Sequence, residues 1–494
     1  MNNYIDSKAK AYPIWSRDNS KLLLAFILTV IAVYIFPKLG IPQILIKLSF
    51  LFLLFIIFHS KDDVFWLSWF ILIINGISRM FTIGTADNIY RIPMYRIMSG
   101  ISLGFNELFL IMYIIKYLTK KTKVFSLFNK YAILILIYGA FTIAYSFILG
   151  ISQSSLISSI RTILPWFWLI ILPAFLSDTE KVEHSFQLIA PFVFICFILS
   201  IYSQITGRYL HDILSGESRI GYLGEAESEL VRSLHSTFLI FPVVFLALFY
   251  MGIGKNKFNY IYLNLVIITG TLIIILSATR GWIIAFLILL SSYFFLKGYD
   301  FMKQLARVLI IVGIMIFIIQ LFYPLFLFQL SKSYERFMSL EDLVEGDPTA
   351  GGTLLRITER GPRVMREFRK SPIIGWGFSD YYFRHRDIHV GNQTMLLQGG
   401  VLGYLFWMII YIMILYKIYS LGQYKYNILY IGKSYIIILL AMIASFVIHS
   451  SSTHMWGFYG SGQEVILQWA YILTTANAYL TTMKKKSIEN NNYA

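Results

Sequence analysis

The sequence predicts an all-α polytopic membrane protein, with about 14 transmembrane helices and a large extracytoplasmic loop that contains an amphipathic helix. Three observations carry this expectation. Of 494 residues, 57% are hydrophobic, 17% aromatic and only 14% charged, a mixture far from that of soluble domains. Apolar runs of about 17 to 25 residues recur from Leu22 to the C-terminus, each long enough to cross roughly 30 Å of hydrocarbon as a helix. Basic residues gather in alternate connections, as they do when Lys and Arg are retained on the cytoplasmic face. The net charge of +16 therefore reports topology, and nucleic acid is not an expected partner.

Helices are expected near 22–36, 43–58, 64–80, 98–118, 131–149, 162–176, 186–205, 234–251, 260–278, 282–296, 305–328, 393–416, 431–449 and 463–483. The basic leader Lys8, Lys10, Arg17 and Lys21 precedes the first. Because Pro37-Lys38-Leu39-Gly40 and a second span follow without a small-residue cleavage site, this reads as an uncleaved first helix. Alternation from a cytoplasmic N-terminus puts the connections 116–130, 255–257, 297–307 and 417–433, with the tail Lys484-Lys485-Lys486, on the inside. The chain is then one transmembrane domain over 1–494 with three outer features. These are a loop at 206–233, a hairpin tip at Thr279-Arg280-Gly281, and a long segment at 329–392 that covers the site. In the last, Arg356, Arg360, Arg363, Arg366 and Arg369 recur at helical spacing and Pro362 suits a first turn. An amphipathic helix starting near Gly361 and lying over the membrane is expected there. No internal repeat relates the two halves, which gives no support to an inverted-repeat transporter. The single cysteine, Cys196, sits in an apolar run and leaves neither a disulfide nor a thiolate cluster available.

Between Lys257 and Lys297 the only charged residue is Arg280, in "ILSATRGW". At the outer boundary of the hydrocarbon such a group either marks a functional site or snorkels to lipid phosphates. The segment 329–392 is rich in Arg and poor in Lys, an imbalance that favours a phosphate-bearing ligand, since guanidinium binds phosphate in bidentate fashion. The alternative is a solvated face balanced by Glu341, Asp342, Glu345, Asp347, Glu359 and Glu367. His389 follows His385 by four residues, yet no H-E-x-x-H pattern and no third ligand accompany the pair, so no metal is expected. An imidazole titrating near pH 6.5 suits a general base, or a hydrogen-bonded loop histidine. In the loop 206–233, Arg219 and Arg232 stand with Glu225, Glu227 and Glu229, whose spacing reads as solvated acids.

Taken together, "SATRG" at a hairpin tip, "RITERGPRVMREFRKSPIIGWGF" and "HVGNQTMLLQGGVLG" opening a helix resemble the O-antigen ligase and O-antigen polymerase family. Members share a Ser-x-x-Arg-Gly-like hairpin, a Pro-x-x-Gly-x-Gly turn, and a His eleven residues before a Gly-x-x-Gly helix start. Pro372, Gly375 and Gly377 fill the turn, and His389 precedes Gly400 and Gly403 at that spacing. Val390 follows the His where the family usually has Asn or Ser. The resemblance covers the central 40% of the chain, from about Arg219 to Gly403, and implies a C-type membrane glycosyltransferase of the bacterial inner membrane. Both termini would be cytoplasmic and the active site extracytoplasmic. Its partners would be undecaprenyl-diphosphate-linked oligosaccharides and a chain-length regulator protein. By position, His389 would take the acceptor proton, Arg280 and Arg219 would hold the diphosphate, and Arg356 and Arg360 would assist. The transfer would be inverting, with neither metal nor other cofactor. Polymerisation of lipid-linked repeat units is the expected reaction, ligation to lipid A core or another surface acceptor the first alternative. An exporter of the same lipids is the second, although most spans lack the deep charges it would need.

Overall fold

A computed structural model describes residues 12–73, 92–98, 101–119, 126–206, 210–215, 237–253, 257–297, 310, 313–314, 316–321, 323–338, 356–387, 389–424, 427, 431–452 and 462–491. About 82% of these residues are helical. Among the described residues, five helices are long and apolar enough to cross a membrane: α1 (Arg17–Lys38), α5 (Asn129–Leu149), α6 (Gln153–Phe175), α7 (Thr179–Thr206) and α15 (Gly391–Gly422). This is the architecture of a helical membrane protein.

Local chemistry explains where these helices start and bend. Ser16 and Asn19 cap α1 reciprocally, and the Asn19 amide also donates to Gln187 O and Leu188 O at 2.9 and 3.1 Å, fastening α1 to α7. α2 (Gln43–His59) follows, then α3 (Asp63–Ile71), whose N-terminus Asp62 caps. A short antiparallel hairpin of β1 (Met94–Met98) and β2 (Ile101–Gly104) precedes α4 (Phe105–Thr119). The helix expected from 98 therefore begins at Phe105. Glu107 accepts the Gly104 N–H at 2.5 Å and pairs with Arg161 at 2.9 Å, which anchors the first turn there. In α6 a tight 3-10 turn spans Leu164–Phe167 around Pro165, and α7 is interrupted at Ala190-Pro191, where proline removes the next backbone donor.

After α8 (Leu210–Ser215) come α9 (Thr237–Gly252), α10 (Tyr260–Leu276) and α11 (Arg280–Lys297), then α12 (Phe326–Met338). A π turn at Arg356–Arg360 leads into α13 (Gly361–Phe368), which starts where Pro362 and the arginine spacing place it. α14 (Asp380–His385), α15, α16 (Tyr435–Ser452) and α17 (Gly462–Asn491) complete the order. The start of the span expected at 305–328, the end of that at 64–80, and most of the loop 206–233, Arg219 included, lie outside the described residues.

The interior is heavily aromatic. Phe70 and Phe109 stack at 4.0 Å beside Trp168 and Tyr113, and Trp166 lies between Trp407 and Trp469. The buried Lys116 is paired: it meets Asp63 at 2.6 Å and also donates to Ile57 O and Ser60 O, which closes the C-terminus of α2.

The helix ends fall into two groups. At one end Tyr12 N–H donates to Lys257 O (2.9 Å), Lys257 pairs with Glu183 (3.2 Å), and Tyr479 OH reaches the same carboxylate (3.2 Å). Asn427 joins Leu421 O to Leu480 O there, and Leu127 N–H finds Asn477 Oδ1. At 1.5 Å per residue the far termini of α5, α10 and α15 lie roughly 25 Å or more away. At that opposite end Ser152 N–H donates to Asp380 Oδ1 at 3.0 Å and Asp380 N–H to Gly150 O at 3.3 Å. The Arg280 tip and the described residues of 356–391 therefore share one end, while Lys257, Asn427 and the C-terminal end of α15 share the other.

Candidate active site

The site is built around a helix that breaks. Gly400 interrupts α15 with φ 62° and ψ −168°, a conformation that side chains all but exclude. The break strands the carbonyls of Leu397 and Gln398 on one side and the N–H groups of Val401 and Leu402 on the other. The Pro372–Gly377 turn fills it from both directions. Trp376 and Gly377 N–H donate to Leu397 O (2.9 Å) and Gln398 O (2.8 Å), while Val401 and Leu402 N–H donate to Pro372 O (2.8 Å) and Ile373 O (3.0 Å). A Cβ on Gly375 would lie 2.4 Å from Gly400 N, and one on Gly400 2.3 Å from Ile373 O, so this approach requires glycine on both sides. The turn is pinned in turn to α5, where Ser146 Oγ accepts the Phe378 N–H at 2.6 Å. Two glycine motifs that the sequence presents separately thus form one interlocked unit.

His389 sits just ahead of this unit, two residues before α15 begins. Its ring is half-buried, and among the described residues neither ring nitrogen is hydrogen-bonded. Burial, then the guanidinium groups of Arg360 and Arg356, hold its imidazole below the ordinary value, against the opposing pull of Asp387. Arg356 is itself pushed down by burial and by Arg360. Asp387 ties the cluster together: Oδ2 accepts from Arg363 at 2.6 Å, and Oδ1 accepts the His389 N–H at 2.9 Å. The result is a neutral, accessible imidazole beside a concentration of guanidinium, an arrangement suited to accept a proton next to a bound anion.

α13 presents two faces. Gly361, Val364, Glu367 and Phe368 are buried, whereas Arg363, Arg366 and Arg369 point outward. Glu367 is spoken for by Lys370 (2.6 Å), the Tyr381 hydroxyl and Arg366 (3.2 Å), and those bonds hold its carboxyl down to about 2. His385 packs against Tyr381 at 4.5 Å, and the chain leaves α14 at Arg386, so His385 and His389 are not a pair on one helix. Among the described residues no group of three or more His, Cys, Asp or Glu comes together as a metal site.

Of the residues singled out in the sequence, the structure gathers His389, Arg356 and Arg360 into one cluster. Arg280 opens α11 at the same end of the bundle and follows Ala278, a buried residue at φ 47°, so the S-A-T-R-G tip carries backbone strain. Asp387 and Thr394 are site residues that sequence reasoning misses. The signal was the Asp-x-His spacing, which lets a carboxylate accept the N–H two residues on. No family model matches this chain, and no characterised protein sequence matches it.

Proposed function

We propose that the protein is a membrane glycosyltransferase of the C type, akin to the O-antigen ligase and polymerase family, acting outside the cytoplasm on glycans carried by undecaprenyl diphosphate. The observation that carries this reading is the half-buried His389 imidazole beside Arg356 and Arg360 at the head of α15. His389 takes the proton of an acceptor hydroxyl, whose oxygen attacks the anomeric carbon in line as the bond to the diphosphate oxygen breaks. The configuration inverts, and the guanidinium groups of Arg356 and Arg360, with Arg280 and Arg219, take up the charge of the departing undecaprenyl diphosphate. The acceptor is the nonreducing end of a second lipid-linked repeat unit, which makes the reaction a polymerisation.

Purified protein in vesicles, given lipid-linked repeat units and no energy source, is expected to yield longer lipid-linked products. His389→Ala is expected to abolish them with the amount of inserted protein unchanged, because a loop imidazole contributes little to packing. Transfer to a different surface acceptor without lengthening would make the protein a ligase. Unchanged chain length with every acceptor would remove the enzymatic reading.

A further inference from the structure

Asp387 lies at the centre of the His389 cluster, and its side chain is only 9% exposed. A carboxylate so placed costs several kcal/mol unless it is paired and hydrogen-bonded. Oδ2 accepts from Arg363 Nη2 at 2.6 Å. Oδ1 accepts the backbone N–H of His389 at 2.9 Å and stands 3.9 Å from Arg360 Nη1. The Asp387 backbone is closed onto α15 as well, its N–H meeting Thr394 Oγ1 at 3.2 Å and its carbonyl accepting from that hydroxyl at 2.7 Å. The π turn, α13, the loop and the first turn of α15 therefore converge on one residue. An ion pair serving stability alone would need only Arg363. The bond to the His389 N–H instead fixes the backbone of the residue that presents the ring.

We propose that Asp387 is a positioning residue: its carboxylate orients His389 through the backbone and holds Arg360 and Arg363 beside it as a cradle for the phosphate oxygens of an anionic ligand. This rests on the reading of His389 as the base. The charged groups bearing on the imidazole are Asp387 from its own loop and Arg356 and Arg360 from the π turn. Arg363 of α13 is bonded to Asp387, and the first turn of α15 offers the neutral Asn392, Gln393 and Thr394.

The test uses full-length protein in vesicles with two readouts. One is turnover of lipid-linked repeat units. The other is the pH dependence of His389 carbethoxylation by diethyl pyrocarbonate, which reacts with the neutral ring whether or not the protein is an enzyme. Asp387→Asn keeps an oxygen for the His389 N–H but removes the charge. Its modification midpoint is expected to move to lower pH and its turnover to fall at least tenfold. Thr394→Val, which leaves the charge in place, should keep the wild-type midpoint. An unmoved midpoint in Asp387→Asn overturns the proposal, whereas an inactive wild type together with a moved midpoint overturns only the enzymatic reading. If the Asn variant does not insert, Asp387→Glu replaces it: a wild-type midpoint with turnover at least tenfold lower supports positioning, and wild-type turnover overturns it.

Discussion

Burial and the flanking guanidinium groups of Arg360 and Arg356 make the His389 imidazole hold its proton less tightly than an ordinary histidine. Arg360→Gln removes the stronger of the two guanidinium influences and is expected to raise the His389 pKa. The acid limb of turnover then shifts to higher pH, measured as a pH–rate profile; an unshifted limb would mean that another group is the base. The residues of this cluster were legible to different degrees. Arginine in an otherwise apolar chain stands out because it has to be explained, and His389 stands out by its spacing to Gly400. Asp387 does not, because its importance lies in backbone and side-chain bonds made across a loop, which no composition or periodicity records.

At the scale of elements, α15 shows what a hydropathy reading can and cannot supply. The apolar run announces a span near 393–416, and the structure has one at Gly391–Gly422. The break at Gly400 lies within that run and is hidden from it, because the partner that satisfies the broken backbone is the Pro372–Gly377 turn, distant in sequence. Gly400→Ala places a side chain in a region of backbone space that costs about 1–3 kcal/mol, on top of a 2.3 Å approach to Ile373 O. The variant is expected to lower the detergent melting temperature, and Gly40→Ala serves as a control: it also has positive φ but meets nothing within 4 Å. Equal losses in the two would mean that the interlock with the turn contributes nothing. The β1–β2 hairpin is the converse case, since its apolar residues merge into the run that precedes α4 and read as the start of that helix.

For the whole molecule, the alternation of basic connections predicts which helix ends lie together, and the bonds at Lys257 and at Asp380 sort the described ends in the same way. That the Lys257 end faces the cytoplasm is an expectation from lysine and arginine bias alone. In a Cys196→Ala background, Arg369→Cys is expected to react with an impermeant maleimide in intact cells, and Lys433→Cys only after permeabilisation; labelling of both from one side would undo the assignment. The interlock at Gly400 also sets an order of events in biogenesis. The Pro372–Gly377 turn precedes the helix segment that receives it, and without the turn a helix broken at Gly400 leaves the Val401 and Leu402 N–H groups unpaired. In hydrocarbon each such group costs several kcal/mol, so the break at Gly400 is expected to form only as the turn docks, the segment running until then as an unbroken helix. Breaking of α15 and completion of the site are then expected to be one event.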